Sequence, residues 1–480
     1  QTLEVFTVFS KLTLMSVEEQ QKLHEATLEL LEKVGVVIGS EDVRKTLEEK
    51  GAKVIGENVR FPRQMVEEML THSVHEFTLG AYNKENRLKV PSVTHPYTTT
   101  AGYVPYIYDE ELGKNRYSTV EDLRQLSIVA DASPEMDCFW PLMLPSEYGG
   151  DLQEFKAIEI ALRNIGKHVQ CSSASGDLAR YQIEFASAIA GGEKELRENP
   201  VISLLSAPTT PLAIEHGIAD AIVESAKAGV PIIPMSLPQL TTTSPATFAA
   251  NTVLVNAENL ACHMVARCAA EDARIFYASD AGAPNLFDAG IDYENCEYVM
   301  LAAADCDMAR FYDLPSAMGA SVEYKDFSTK AGFERNVFRC ALKQLTRVDV
   351  ACWVGTRESC LSSSIIDVIL DLEVNRYAKA YFRNFEVNDE TLALDVLAER
   401  GPRGNFLDHE HTFKHFRENI FAPKAENSFL FAEGFENHRK VAKAKVDEIL
   451  ATHKAPEFDE ALVAELDKIA ASAEANLRNK

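Results

Sequence analysis

The chain of 480 residues has no apolar run near the roughly 20 residues that span a bilayer, and its N-terminus has no basic, apolar leader pattern. A soluble, cytoplasmic protein without membrane contact is expected. Positive charge is also short. The formal balance is −25, which argues against a nucleic-acid partner, since such partners require a basic face. The nine cysteines include no C-x-x-C pair, and the nearest neighbours, Cys262/Cys268 and Cys352/Cys360, miss the usual zinc spacing. Reduced, mostly buried thiols and no bound metal are therefore expected. No G-x-G-x-x-G follows an apolar run, so a dinucleotide site has no support. Tryptophan is scarce, with two in the chain.

What is present is enough apolar residue, 46%, for one large core with appendages. Residues 1–85 read as a small N-terminal α/β cap. Val17–Val34 has helical spacing and stops at Gly35, and short strand and helix units follow. Tyr97–Tyr117 carries Tyr97, Tyr103, Tyr106, Tyr108 and Tyr117 around a hairpin turn at Asp109–Gly113.

A rhythm then begins. Short apolar segments, each followed by Gly, Pro, Ser or Thr and then a helical pattern, recur at Asp137–Leu144, Lys167–Ser173, Val201–Ala207 and Pro231–Leu237. They continue at Arg274–Ser279, Phe311–Met318, Asp349–Gly355 and Asn405–Leu407. Near-continuous apolar strands alternating with helices predict a (β/α)8 TIM barrel over residues 86–425. Residues 426–480, acidic and lysine-rich, read as a C-terminal helical extension suited to contacts in a homo-oligomer.

Such a fold places chemistry at the C-terminal strand ends. Those ends carry Trp140, Ser172 and Ser173, Ser206, Thr209, Met235 with Gln239, Ser279 with Asp280, Met318 with Gly319, and Trp353 to Glu358. His409 and His411 follow the last segment, with Thr412 placed to cap the next helix and His415 on the same face as His411. There is no Ser-His-Asp set, no carboxylate dyad and no lysine at a strand end. The ends describe a roomy, weakly polar, aromatic cavity that holds a ligand by shape and cation–π contact. Glu373, within an apolar helical stripe, reads as half of a buried salt bridge.

With the strands placed, the chain resembles the trimethylamine methyltransferase superfamily, in the branch without pyrrolysine. The resemblance rests on LHEATLELLEKVGV (Leu23–Val36), YDEELGKNRYSTVED (Tyr108–Asp122), Pro315–Glu334, Asp371-Leu372-Glu373 and GPRGNFLDHEHT (Gly401–Thr412). It implies methyl transfer from a quaternary amine such as glycine betaine, proline betaine or carnitine to the cobalt of a separate corrinoid protein. No cofactor would then be tightly bound, since the corrinoid belongs to the partner. Tyr97, Tyr103, Trp140 and Trp353 become candidates for an aromatic cage. Arg357, Gln239 and the His409/His411 pair become partners for a substrate carboxylate, with Ser206, Ser279, Met318 and Gly319 completing the lining.

Two stretches depart from the family pattern. Pro315–Gly332 keeps Pro315, Gly319, Ala331 and Gly332 but loses much between them, and Ala351-Cys352 stands where histidines often occur. Two other readings remain open. One is a zinc-dependent, corrinoid-linked enzyme for an O- or S-methyl donor, drawing ligands from Cys352, Cys360, His409 and His411. The other is a betaine-binding protein without catalysis.

Overall fold

The computed structural model describes residues 11–287, 290–319, 329–382, 385–419 and 437–478. The functional architecture is built on eight short parallel strands in two four-stranded sheets. We label them β1 (Tyr97–Thr100), β2 (Cys138–Phe139), β3 (His168–Ser172), β4 (Ile202–Leu205), β5 (Ile232–Ile233), β6 (Tyr277–Ser279), β7 (Ser316–Gly319) and β8 (Val350–Val354). One sheet has the order β5-β4-β3-β2 and the other β6-β7-β8-β1. Backbone bonds also cross both seams. Ile232 N donates to Arg274 O and Asp280 N to Ser236 O on one side, while Asp137 N donates to Thr98 O and Val104 N to Leu142 O on the other.

Helices alternate with the strands and cover their outer faces, among them Gly150–Asn164, Gly176–Ala190, His216–Ala228, Phe248–Ala269, Cys296–Phe311, Lys330–Thr346 and Ile365–Ala380. Each strand residue therefore faces either the helices or the space between the sheets. The inner set contains Cys138, Trp140, Leu205, Ile233, Met235, Phe276, Ala278, Ala317, Val350 and Cys352. The outer set contains Phe139, Leu204, Ile232, Tyr277, Met318, Ala351 and Trp353.

One end of this inner space is filled. The antiparallel pair Phe77–Leu79 and Leu88–Val90 inserts Phe77, Leu79 and Val90 among the inner residues, and Phe77 meets Phe276 edge-on at 5.0 Å. His168, buried at the start of β3, bonds the Gly80 carbonyl and the Ser203 hydroxyl, and burial lowers its pKa to about 4. It acts as a neutral strut tying the plug to the strands. Among the described residues, this leaves the C-terminal strand ends for a ligand.

The first helix, Val17–Lys33, starts in a Ser16/Glu19 capping box and ends before Gly35, which has φ 81°. It packs on Phe248–Ala269. The sheet beside it draws one strand, Ala213–Ile214, from beyond β4, so this region is woven into the rest of the chain. The expected hairpin at Asp109–Gly113 is present, joining Tyr106–Asp109 to Lys114–Tyr117. At the other end, His438–Thr452 packs on Ile365–Ala380 and Glu460–Leu477 on Gly176–Ala190. Arg439 bonds both Glu110 and Asp367 there. No described helix is long and apolar enough to cross a membrane.

Seven of the eight expected strand segments contain a strand, and the eighth does not. Asn405 and Phe406 are irregular and Leu407, 78% exposed, enters a turn before the helix Glu410–Asn419. Its place is taken by Tyr97–Thr100, which pairs with β8. Thr412 lies inside that helix and donates to Phe406 O, while His409 Nδ1 accepts the His411 amide and does the capping. Glu373 is paired with Arg376 through two bonds, as expected.

Trp353 sits in the strand–helix layer, with 2% of its surface exposed. Trp353→Ala is expected to lower stability by about 3–5 kcal/mol through lost packing. Denaturant unfolding would measure this, with ligand affinity of the folded variant unchanged.

Candidate active site

At the open ends of the strands lies a cavity of about 230 Å³, small beside the roughly 300–1,000 Å³ of drug-sized sites. Its walls are residues that follow or end the strands: Gly102 and Tyr103 after β1, Trp140 after β2, Leu205 in β4, Met235 and Leu237 after β5. Asp280 after β6, Gly319 closing β7 and Cys352 in β8 complete the strand-borne wall, and Tyr293 and Cys360 come from loops. A larger groove of about 1060 Å³ runs between the helices Gly176–Ala190, Glu193–Glu198 and Glu460–Leu477. Interspersed lysines, arginines and glutamates line it, and it is remote from the strand ends that gather aromatic and acidic groups.

Tyr103 and Trp140 meet at 6.3 Å, ring edge to face. Burial pushes the Tyr103 hydroxyl far up, so it stays protonated. The Trp140 indole N–H is buried and without a partner, a donor that a ligand oxygen would satisfy. Asp280 receives hydroxyl donors from Tyr293, at 3.3 Å, and from Tyr298. Space here is tight. A Cβ on Gly319 would overlap the Asp280 carboxylate, and one on Gly102 would lie 2.8 Å from the Trp140 ring. Burial pushes the Cys352 thiol up to about 12, which leaves no thiolate at neutral pH.

Of the residues expected in the substrate lining, Tyr103, Trp140 and Gly319 line this cavity, together with Met235 and Asp280, noted at strand ends, and Cys352 and Cys360, the thiols of the zinc reading. Gln239 lies beside it. Its amide oxygen and nitrogen are buried without partners, over Gly282, which follows Asp280 by two residues. The others lie elsewhere. Met318 and Trp353 face the helices, one residue out of step with Gly319 and Cys352. Ser279 faces outward and donates to Asp305 at 2.7 Å. Ser206 follows the inward Leu205 and does not line the cavity, its buried hydroxyl having no partner. Tyr97 begins β1 beside the plug, bonded to Lys89 O, roughly 20 Å of extended chain from Tyr103.

Arg357 stacks on Tyr108 at 4.2 Å and pairs with Asp367, away from the lining. His409 pairs with Glu399, and His411 bonds the Glu390 carbonyl while its ring lies 4.3 Å from that of His415. These histidines belong to a small helical unit of their own, because their partners come from residues 390–399. Among the described residues, no group of three or more His, Cys, Asp or Glu side chains converges as a metal site. The departure at 320–330 falls mostly outside the described residues, since 320–328 are not among them. Tyr293 and Leu237 escape selection from sequence, and Asp280, noted at a strand end, is not carried into the substrate lining, although the alternation of Phe276, Ala278 and Asp280 favours it over Ser279.

The overall fold resembles that of the monomethylamine methyltransferase of Methanosarcina barkeri, with a TM-score of 0.51 at 11% identity, covering 98% of this chain and 88% of that one. This shows a shared α/β fold. The sequence profile of the trimethylamine methyltransferase (MTTB) family matches residues 2–477, and the chain belongs to that family. The glycine betaine methyltransferase of Desulfitobacterium hafniense strain Y51 is 26% identical over 463 residues, 95% of this chain and 96% of its own. A trimethylamine methyltransferase of Methanosarcina mazei is 25% identical over 472 residues, covering 96% and 94%. The chain is accordingly an enzyme of the methyltransferase class.

Asp305, behind β6, yields a pH prediction. Burial raises its carboxyl from 3.8 to about 7. The folded state thus favours the protonated form, so this contribution is full below pH 4 and is lost as pH rises through about 7. Asp305→Asn should flatten that decline, giving a smaller stability loss between acidic and neutral pH in urea titrations.

Proposed function

We propose that the protein transfers a methyl group from a small quaternary amine of the betaine type to a corrinoid carried by a separate protein. The observation that carries this reading is the compact cavity in which Trp140, Tyr103 and Tyr293 stand around the Asp280 carboxylate. Aromatic faces attract a desolvated ammonium by about 2 kcal/mol or more without bonding to its methyl groups. The family to which the chain belongs supports the same class of substrate. We also read the two sheets, bonded across both seams, as a (β/α)8 barrel with the cavity at its C-terminal mouth.

The lining fits an external methyl acceptor. Cys352 is held as a thiol, so it is not a nucleophile at neutral pH. A reduced corrinoid on the partner supplies a strong nucleophile for an N-methyl carbon. The residues of this chain then have three tasks: to hold the ammonium, to exclude water and to aim one methyl group outward. The leaving group is a neutral tertiary amine, so no side chain has to donate a proton to it. The unpartnered Trp140 N–H and Gln239 amide are suited to the oxygen-bearing tail of the substrate.

The test mixes the protein with reduced cobalamin, or with a corrinoid protein, and a panel of N-methyl compounds. Methyl-cobalt formation is read in the visible spectrum. Conversion with a quaternary amine is expected, and Trp140→Ala should reduce it by at least tenfold. Silence across quaternary amines, with turnover of an O- or S-methyl donor, would overturn the proposal.

A further inference from the structure

We infer that Gly102 is a specificity-determining residue of the cavity. By letting the Trp140 indole lie against the end of β1, it sets a depth that admits quaternary amines with a short arm and turns away longer ones. This rests on the methyl-transfer reading above and adds to it a limit on substrate size.

The end of β1 holds Trp140 at three points. The Thr100 hydroxyl donates to the Trp140 carbonyl and accepts from its amide at 2.9 Å, which pins the backbone that carries the ring. Tyr103 meets the indole edge to face. Between them, Gly102 lies against the six-membered ring, where a Cβ would stand 2.8 Å from Cη2, 2.9 Å from Cζ2 and 3.4 Å from Cζ3. The backbone at Gly102 lacks the positive φ that Gly35 and Gly355 have, so its conformation does not call for glycine. What the position requires is room for the ring.

A side chain there could be accommodated in one direction. The indole is 8% exposed and belongs to the packed inner set with Cys138, Leu205 and Met235. Such interiors hold little spare volume, so a ring driven off β1 moves into the cavity that both residues line. That cavity has little to lose. An apolar cavity of about 150 Å³ takes up benzene, so one of about 230 Å³ suits roughly nine non-hydrogen atoms. This is a trimethylammonium group carrying an arm of one or two methylenes and a carboxylate. An acceptor from outside attacks in line with the carbon–nitrogen bond, so one methyl group faces the mouth and the arm is directed at the walls. The position of Trp140 therefore limits the arm.

The experiment measures binding by calorimetry on the full chain. The probes are tetramethylammonium and trimethylammonio carboxylates with one, two, three or four methylenes between nitrogen and carboxylate. The wild type is expected to bind the first two carboxylates and to lose roughly tenfold or more in affinity at three methylenes and beyond. Gly102→Ala should move that loss down by one methylene, weakening the two-methylene compound by roughly tenfold and tetramethylammonium by less than about threefold. An unchanged ranking in folded Gly102→Ala overturns the inference, as does a wild type that binds all four carboxylates equally. Trp140→Phe removes the ring atoms that the new Cβ would strike. By itself it should admit the three-methylene compound, which gives a reading if Gly102→Ala does not fold, and no gain overturns the inference. In the Trp140→Phe background, Gly102→Ala should no longer alter the ranking, and an effect as large as in the wild type shows that the ring contact is not the cause. Methyl-cobalt formation from the one-methylene compound is a separate readout. If it occurs without a size ranking, the role of Gly102 fails and the methyl-transfer reading stands. A size ranking in binding without methyl transfer from any quaternary amine ends that reading and keeps Gly102 as the size limit of the site.

Discussion

A strand residue can face only one of two layers, and everything in this molecule is arranged around that restriction. The eight strands must satisfy a helix layer outside and a narrow space inside, with side chains alternating between them. Inside, the Phe77–Leu79 hairpin and the neutral His168 close one end, which leaves the C-terminal strand ends as the place where small residues can leave volume. Gly102, Gly319 and Ala101 do so there, facing Trp140 and Asp280. The cavity is what remains when bulky inner residues stop one position short of the strand ends.

The same alternation sends polar groups into the helix layer, where each must find partners. Glu258 is fully buried behind β5 and accepts from Ser236, Thr210 and the Leu212 amide. Burial still raises its pKa, the donors opposing that rise. Asp305 plays a similar part behind β6 through Ser279. These contacts tie the helices Phe248–Ala269 and Cys296–Phe311 to the backs of the strands whose fronts bear Met235 and Asp280. They are supports for the cavity wall and not part of its chemistry.

This explains how much could be read from the sequence. Apolar runs broken by Gly, Pro or Ser marked seven strands, because a strand covered on both faces has to be apolar on both. That property also hides the parity. In Met318, Trp353 and Ser279 the reading is off by one residue, and a one-residue step reverses the face. β1 escapes such a reading for the opposite reason. Its Thr98, Thr99 and Thr100 are fully buried, and two of them are satisfied by particular partners, Thr98 by Asn375 and Thr100 by the Trp140 backbone. Nothing local announces such partners. His409 and His411 show the converse, a pattern strong in sequence whose partners, Glu399 and Glu390, lie on neighbouring helices instead of at the cavity.

The chemistry follows from what the wall is able to do. Its thiol at Cys352 is protonated, its hydroxyl at Tyr103 is pushed far from ionisation by burial, and Asp280 is already engaged by two tyrosines. None of these groups is poised to attack carbon. A site so composed accelerates a reaction by fixing distance and direction and by removing water, effects that together are able to supply on the order of 7–11 kcal/mol when the approach is in line. Loss of methyl from a quaternary nitrogen suits it, because charge moves away from the amine and no proton has to follow. The rigid elements, the edge-on tyrosine pair and the glycine beside Asp280, are then where catalytic power resides, since a displacement of about 1 Å in an aimed methyl group is able to cost roughly a hundredfold in rate.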